Sequence, residues 1–259
     1  MENYFKQIDF SKYSSLHIGP TCEVLVINEI GEYEDYQILG RANNTLISNN
    51  PPKFAVLGEA FEYIEQKDGL LYVGCATKSG KLLSYAKRND LANLEFLGKL
   101  PGCLGGLVKM NAGLKEWEIF NYIHSIKTNK GYIKKENIEY SYRNTKIDTI
   151  VYEVVFNIEY GYSKQMAEKF KKMRDNQPQL PSAGSCFKNP KDDYAGRLIE
   201  AVGLKGFKKG GMGFSQEHAN FLVNYGGGTY EEAIYMIDLA QKKIKKQFNI
   251  DIKKEIIVY

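Results

Sequence analysis

Apolar positions are arranged differently in the two halves of the chain. The run 149–158 carries Val151, Val154, Val155, Phe156 and Ile158 between polar flanks, and predicts a strand. Shorter strands are predicted at 23–27, 36–39, 54–57, 61–65 and 70–73, so the first third is strand-rich. Ser79 reads as the cap of a helix that carries Leu82, Leu83 and Ala86 on one face. The glycine-rich block from Gly98 to Gly113 interrupts regular structure, and 122–128 with 131–134 predicts a hairpin around Asn129-Lys130-Gly131. After Gly161 the period becomes helical, first at Met166, Phe170 and Met173, then at Leu198, Ile199 and Val202. A strand follows at 221–224. The segment 229–248 predicts a helix opened by a capping box, Thr229 with Glu232, that buries Ala233, Ile237, Ala240 and Ile244. The tail 255–259 reads as a final strand.

The fold class expected is α+β. A strand-rich region, 1–160, divides into subdomains of about 1–55 and 56–160, and a smaller α+β domain, 161–259, follows. No internal repeat is visible.

Composition narrows the function classes. Of the 259 residues, 43% are hydrophobic and 25% charged, an ordinary globular balance. A net charge of +4 with spread lysines gives no support to nucleic-acid binding, but it suits a small substrate bearing phosphates and a carboxylate. Cys22, Cys75, Cys103 and Cys186 have no metal-ligand spacing and no disulfide pattern, so no metal is expected. No apolar core of signal-peptide length and no run of about 18 apolar residues occurs, so a cytoplasmic protein with no membrane span is expected.

Three segments carry candidate chemistry. In Ser182-Ala183-Gly184-Ser185-Cys186-Phe187-Lys188-Asn189-Pro190 a serine hydroxyl stands at a tight bend beside anion-binding groups, with a helix starting soon after. Gly40-Arg41-Ala42-Asn43-Asn44 is a strand running into a turn that can bring N–H groups to a diphosphate, although the Rossmann glycine fingerprint is missing. Gly98, Pro101, Gly102, Gly105, Gly106 and Gly113 are too many flexible or turn residues for core filling, and suit a backbone laid against a large planar ligand.

Together these segments resemble the UDP-N-acetylenolpyruvoylglucosamine reductase family. So do Ser14-Ser15-Leu16-His17-Ile18-Gly19-Pro20, Tyr140-Ser141-Tyr142-Arg143-Asn144 and Ser215-Gln216-Glu217-His218-Ala219-Asn220, in the family's order along nearly the whole chain. The resemblance implies an FAD-binding fold of the vanillyl-alcohol-oxidase type, non-covalent FAD, and NADPH as co-substrate. It assigns the cofactor to Gly40, Arg41, Ala42, Asn43, Asn44, Pro101, Gly102, Gly105, Gly106, Asn111, Ala112 and Gly113. It implies reduction of UDP-N-acetylglucosamine enolpyruvate to UDP-N-acetylmuramate for peptidoglycan. Arg143 would hold the substrate carboxylate, Ser185 would donate a proton, and Glu255 would join Arg143 at the developing enolate. Lys188 and Asn189 would bind the nucleotide substrate, and His218 would be structural.

The chain departs from the family pattern at Arg41 and Asn43, which replace smaller residues. It also departs around Glu255, where the usual proline and trailing arginine are lost. No insertion is evident between Gly113 and Ser182, which marks the shorter form of the family. The alternatives are another flavoprotein oxidase of the same fold and a non-catalytic nucleotide-sugar-binding protein.

Overall fold

The computed structural model describes all 259 residues, which form two compact units. The first unit comprises Met1–Lys6, Glu23–Arg41 and Lys53–Asp175; the second comprises Gln7–Cys22, Ala42–Pro52 and Asn176–Tyr259. The chain therefore passes from one unit to the other at 175/176 rather than near 160, and two N-terminal segments belong with the C-terminal third. The helix Lys164–Lys172 explains the shift. Its only fully buried side chain, Phe170, packs edge-on to Trp117 (5.1 Å between centroids) and Phe96 (6.4 Å), which fastens it to the first unit.

The first unit is built on a five-stranded antiparallel sheet, in the order Gly131–Lys134, Ile123–Thr128, Glu153–Asn157, Leu70–Gly74, Ile64–Lys67. Val73 faces Val154 and Leu71 faces Phe156 across the central pair. The apolar face covers Phe96, Leu104, Val108, Ile119 and Phe120. A parallel ladder pairs Val24 to Ile27 with Phe54–Leu57, which also pairs with Gln37–Leu39. The ladder ends where Gly40 begins its turn.

The second unit has a four-stranded antiparallel sheet, Ser182–Ser185, Phe221–Asn224, Met212–Phe214, Lys208–Lys209, against the helices Ala195–Ala201 and Tyr230–Phe248. The longer helix buries Ala233, Met236, Ile237, Ala240 and Ile244, a stripe at spacings of three and four. Its predicted capping box is present: Thr229 Oγ1 accepts the Glu232 N–H at 3.2 Å, and Glu232 accepts the Thr229 N–H at 3.2 Å. The final strand shortens to Ile257–Val258, parallel to Thr45–Leu46.

Two local expectations change. Ser79 is the first helical residue of Ser79–Arg88, not its cap; its hydroxyl donates to Leu100 O at 2.5 Å and its N–H to Gly102 O at 3.1 Å. The glycine block contains a short helix, Leu104–Lys109, because Leu104, Leu107 and Val108 fall on one buried face.

Candidate active site

In the second unit, Ser185 ends a strand whose register shifts between Ser182 and Ser185, where Gly184 adopts φ +75°. That turn leaves Ser185 partly exposed. The segment after it is held from both sides. From the sheet, Asn220 O accepts the Cys186 N–H at 2.7 Å. The buried Asn220 side chain accepts the Phe187 N–H at 3.0 Å and donates to Phe187 O at 2.8 Å. His218 Nδ1 accepts the Asn220 N–H at 3.3 Å, and Ser215 Oγ accepts the N–H groups of Glu217 and His218. The Ser-x-x-His-Ala-Asn pattern is therefore a clamp on the chain just past Ser185. Burial lowers the His218 pKa, so the ring stays neutral and keeps Nδ1 as an acceptor.

From the other side the C-terminal segment runs antiparallel to residues 186–188. The Glu255 N–H donates to Cys186 O at 2.9 Å, Lys188 N–H donates to Lys253 O at 2.9 Å, and Phe187 pairs with Lys254. Asn44 joins the same place, donating from Nδ2 to Glu255 O at 2.8 Å and accepting the Ile257 N–H at 3.0 Å. Three stretches far apart in sequence thus bring Asn44, Glu255 and the Ser185 segment together. Beside Asn44, Asn43 Oδ1 and Thr45 Oγ1 are buried with no hydrogen-bond partner. Such atoms are costly to bury unsatisfied and fit a turn that closes on a polar ligand. Ser15 fixes this turn, its N–H and hydroxyl donating to Ala42 O and its hydroxyl to Asn43 O.

Asn189 and Cys186 are otherwise engaged. Asn189 Oδ1 accepts the Ala195 N–H at 3.0 Å, so its carbonyl oxygen starts the following helix rather than facing outward. Cys186 is fully buried, and desolvation raises its thiol well above the ordinary range. It stays protonated and inert. Lys188 is partly exposed.

In the first unit the glycine block is pinned through Leu104 N–H to Thr77 O and Gly105 N–H to Cys75 O, both 2.9 Å. A Cβ on Gly40 would stand 3.0 Å from Cys103 Sγ and 3.7 Å from Gly106 Cα, so the first turn meets the second block directly. A Cβ on Gly106 would meet nothing within 4 Å: the backbone there is a bare surface open to a ligand. Arg41 is exposed and its charge favours the Cys103 thiolate, but burial dominates and raises that thiol. Pro101 and Gly102 lead into this surface, Gly102 at φ +117°.

Asn111, Ala112 and Gly113 are all buried, and their polar groups are used within the fold. Ala112 exchanges main-chain bonds with Leu107 and Ile119. Gly113 passes so near Trp117 that a Cβ would lie 2.2 Å from the Trp117 carbonyl oxygen. What this segment holds is Arg143. That residue occupies the two-residue turn between Tyr140–Ser141 and Asn144–Thr145, at φ +53°. Its Nη2 donates to Gly113 O at 2.8 Å and its Nη1 to Asn111 O at 3.4 Å, while the guanidinium lies 5.2 Å from the Tyr142 ring.

Sequence reasoning missed Glu153, a buried carboxylate that accepts hydrogen bonds from Tyr63 (2.5 Å) and Tyr132 (2.7 Å). Burial and the carboxylate raise both phenols, Tyr132 to about 12. The available signal was a lone acid inside the apolar run 151–158.

Residues 176–259 match the family model described as UDP-N-acetylenolpyruvoylglucosamine reductase, C-terminal domain. Over 256 residues the chain is 44% identical to the UDP-N-acetylenolpyruvoylglucosamine reductase of Campylobacter jejuni (strain RM1221), covering 97% of this chain and 99% of that one. The chain belongs to the UDP-N-acetylenolpyruvoylglucosamine reductase family. The reductase of Helicobacter pylori (strain J99) is likewise 44% identical, over 250 residues and 96% of each chain. The fold agrees with the crystal structure of the reductase from Thermus caldophilus, with a TM-score of 0.86 at 26% identity over 100% of both chains. Ser185, Lys188, Asn189 and Glu255 fall inside the stretch matched by the family model. No helix of this reductase-family chain is long and apolar enough to cross a membrane.

Proposed function

We propose that the protein reduces UDP-N-acetylglucosamine enolpyruvate to UDP-N-acetylmuramate in peptidoglycan precursor synthesis, with non-covalent FAD and with NADPH as co-substrate. One observation carries the reading. The hydrogen bonds Glu255 N–H to Cys186 O and Asn44 Nδ2 to Glu255 O bring the backbone of Glu255 and of Asn44 beside the segment that follows Ser185. The family shown by the relatives supplies the reaction class.

The residues present fit FAD, in a fold of the vanillyl-alcohol-oxidase type. The bare backbone at Gly106, with Gly40, Pro101, Gly102 and Gly105 beside it, offers a stretch almost without side chains for a diphosphate or a flat ring. The orphaned Asn43 and Thr45 oxygens offer polar groups next to Ala42 and Asn44. Arg41 is exposed and adds positive charge. When bound, FAD supplies a hydride that originates from NADPH.

The substrate is an enol ether conjugated to a carboxylate. Hydride arriving at the β-carbon drives negative charge into the carboxylate as an enolate. Arg143 grips that carboxylate with a planar fork, which stabilises the charge as it grows. Glu255 serves at the same enolate. The Ser185 hydroxyl then delivers its proton to the α-carbon, and the positive charge of Lys188 lowers the cost of the alkoxide left on Oγ. Lys188 and the amide of Asn189 bind the nucleotide. Nucleotide sugars and NADPH are cytoplasmic, and the reaction is placed there.

The test is anaerobic. Purified protein should be yellow, release one FAD per chain on acid precipitation, bleach with NADPH, and regain colour on adding the enolpyruvyl sugar nucleotide. Colourless protein that cannot be reconstituted with FAD, or bleached protein that the nucleotide does not reoxidise, would sink the proposal.

A further inference from the structure

We propose that Asn111 is a positioning residue for Arg143, fixed in turn by Glu118, rather than a contact to the cofactor; this rests on the reading of Arg143 as the group that binds the substrate carboxylate. Asn111 is 0% exposed and adopts φ +45°, a conformation that asparagine tolerates better than most residues. Its amide is committed at both ends. Nδ2 donates to Glu118 Oε2 at 2.8 Å and to Ser141 O at 3.1 Å, and Oδ1 accepts the Phe120 N–H at 3.3 Å. A carboxylate only accepts and a main-chain N–H only donates, so the orientation of this amide has no alternative.

The consequence is a double hold on the arginine. Through its side chain Asn111 grips Ser141, two residues before Arg143 on the same hairpin. Through its main chain it accepts Nη1 of the guanidinium, next to Gly113, which accepts Nη2. Thr145, on the far arm of that hairpin, is tied to Lys109 O at 2.8 Å, two residues before Asn111. Asn111 therefore sets both the place of the hairpin and the plane of the guanidinium. The Phe120 and Tyr140 rings, 4.5 Å apart and stacked, hold the base of the hairpin but not its turn. With both Nδ2 hydrogens and Oδ1 engaged inside the fold and the residue fully buried, the Asn111 side chain is committed to the hairpin.

The variant Asn111→Asp keeps size and backbone tolerance but turns the donor into an acceptor that faces Glu118 and the Ser141 carbonyl. Misplacing a binding group by about 1 Å costs up to roughly 100-fold in rate. Reoxidation of the reduced holoenzyme by the enolpyruvyl nucleotide should therefore slow by about 10- to 100-fold, with the NADPH half-reaction unchanged. In an Arg143→Lys background, Asn111→Asp should add no further slowing, because the group it positions is already lost. Should Asn111→Asp fail to fold, Glu118→Gln carries the same test with a smaller slowing, again absent beside Arg143→Lys.

Three results would overturn the assignment: wild-type reoxidation in these variants, a slowed NADPH half-reaction that marks contact with the flavin, or slowing that multiplies with Arg143→Lys. Wild-type reoxidation in Arg143→Lys alone would instead remove the reading of Arg143 on which the inference rests.

Discussion

Two buried asparagines, Asn220 and Asn111, show how single residues hold the segments proposed to react. Each spends both ends of its amide on main chain or a fixed carboxylate, which makes it a rigid spacer rather than a surface group. The sequence marked Ser185 and Arg143 through their neighbours, but it could not show which polar residue nearby was scaffold. The family resemblance assigns Asn111 to the cofactor, and the partners of its amide are what motivate the positioning role proposed for it instead. His218 supports Asn220, and its behaviour with pH follows from burial. Its pKa is lowered below the ordinary 6.5, so the unfolded chain takes up the proton first as pH falls. The stability it contributes is complete above that value and is lost as pH drops through the lowered folded value. Thermal melting of the protein should therefore fall more steeply between about pH 7 and pH 5 than that of His218→Asn, which cannot titrate there. Parallel melting curves for the two would contradict a half-buried neutral His218.

At the scale of elements, patterns with a strong period were legible and those diluted by glycine were not. The helix Tyr230–Phe248 follows its apolar stripe and its cap closely. Thr229→Ala removes the hydroxyl that accepts the Glu232 N–H, and should destabilise the protein by about 1 kcal/mol in chemical denaturation. Thr229→Ser should cost only a fraction of that. Equal stability of Thr229→Ala and the parent would show the cap to be idle. By contrast, Leu104–Lys109 was hidden because Gly105 and Gly106 have poor helix propensity, and tertiary contacts of Leu104, Leu107 and Val108 override it. The tail showed the opposite effect. Its apolar run promised a five-residue strand, but only Ile257–Val258 finds a parallel partner, while Glu255 is drawn off towards Cys186.

Over the whole molecule, the sequence order of elements concealed how the chain is shared between its units. Segments 7–22 and 42–52 belong with the C-terminal third because Thr45–Leu46 pairs with Ile257–Val258 and Asn224 reaches Leu16 O. Pairings across some two hundred residues leave no local period to read. The family was legible, since its motifs recur in order and the relatives bear this out over nearly the full chain. The central claim is that Ser185 delivers the proton in a reaction whose hydride step is separate, and rapid mixing of the two half-reactions of Ser185→Ala tests it most directly. NADPH should bleach the variant's flavin at the wild-type rate, and an unchanged melting temperature would exclude a collapsed loop around the buried Cys186. Reoxidation by the enolpyruvyl nucleotide should slow by roughly 100- to 10,000-fold, the usual contribution of a positioned acid. A variant that reoxidises at the wild-type rate, or one that loses bleaching by NADPH while keeping reoxidation, would contradict the account.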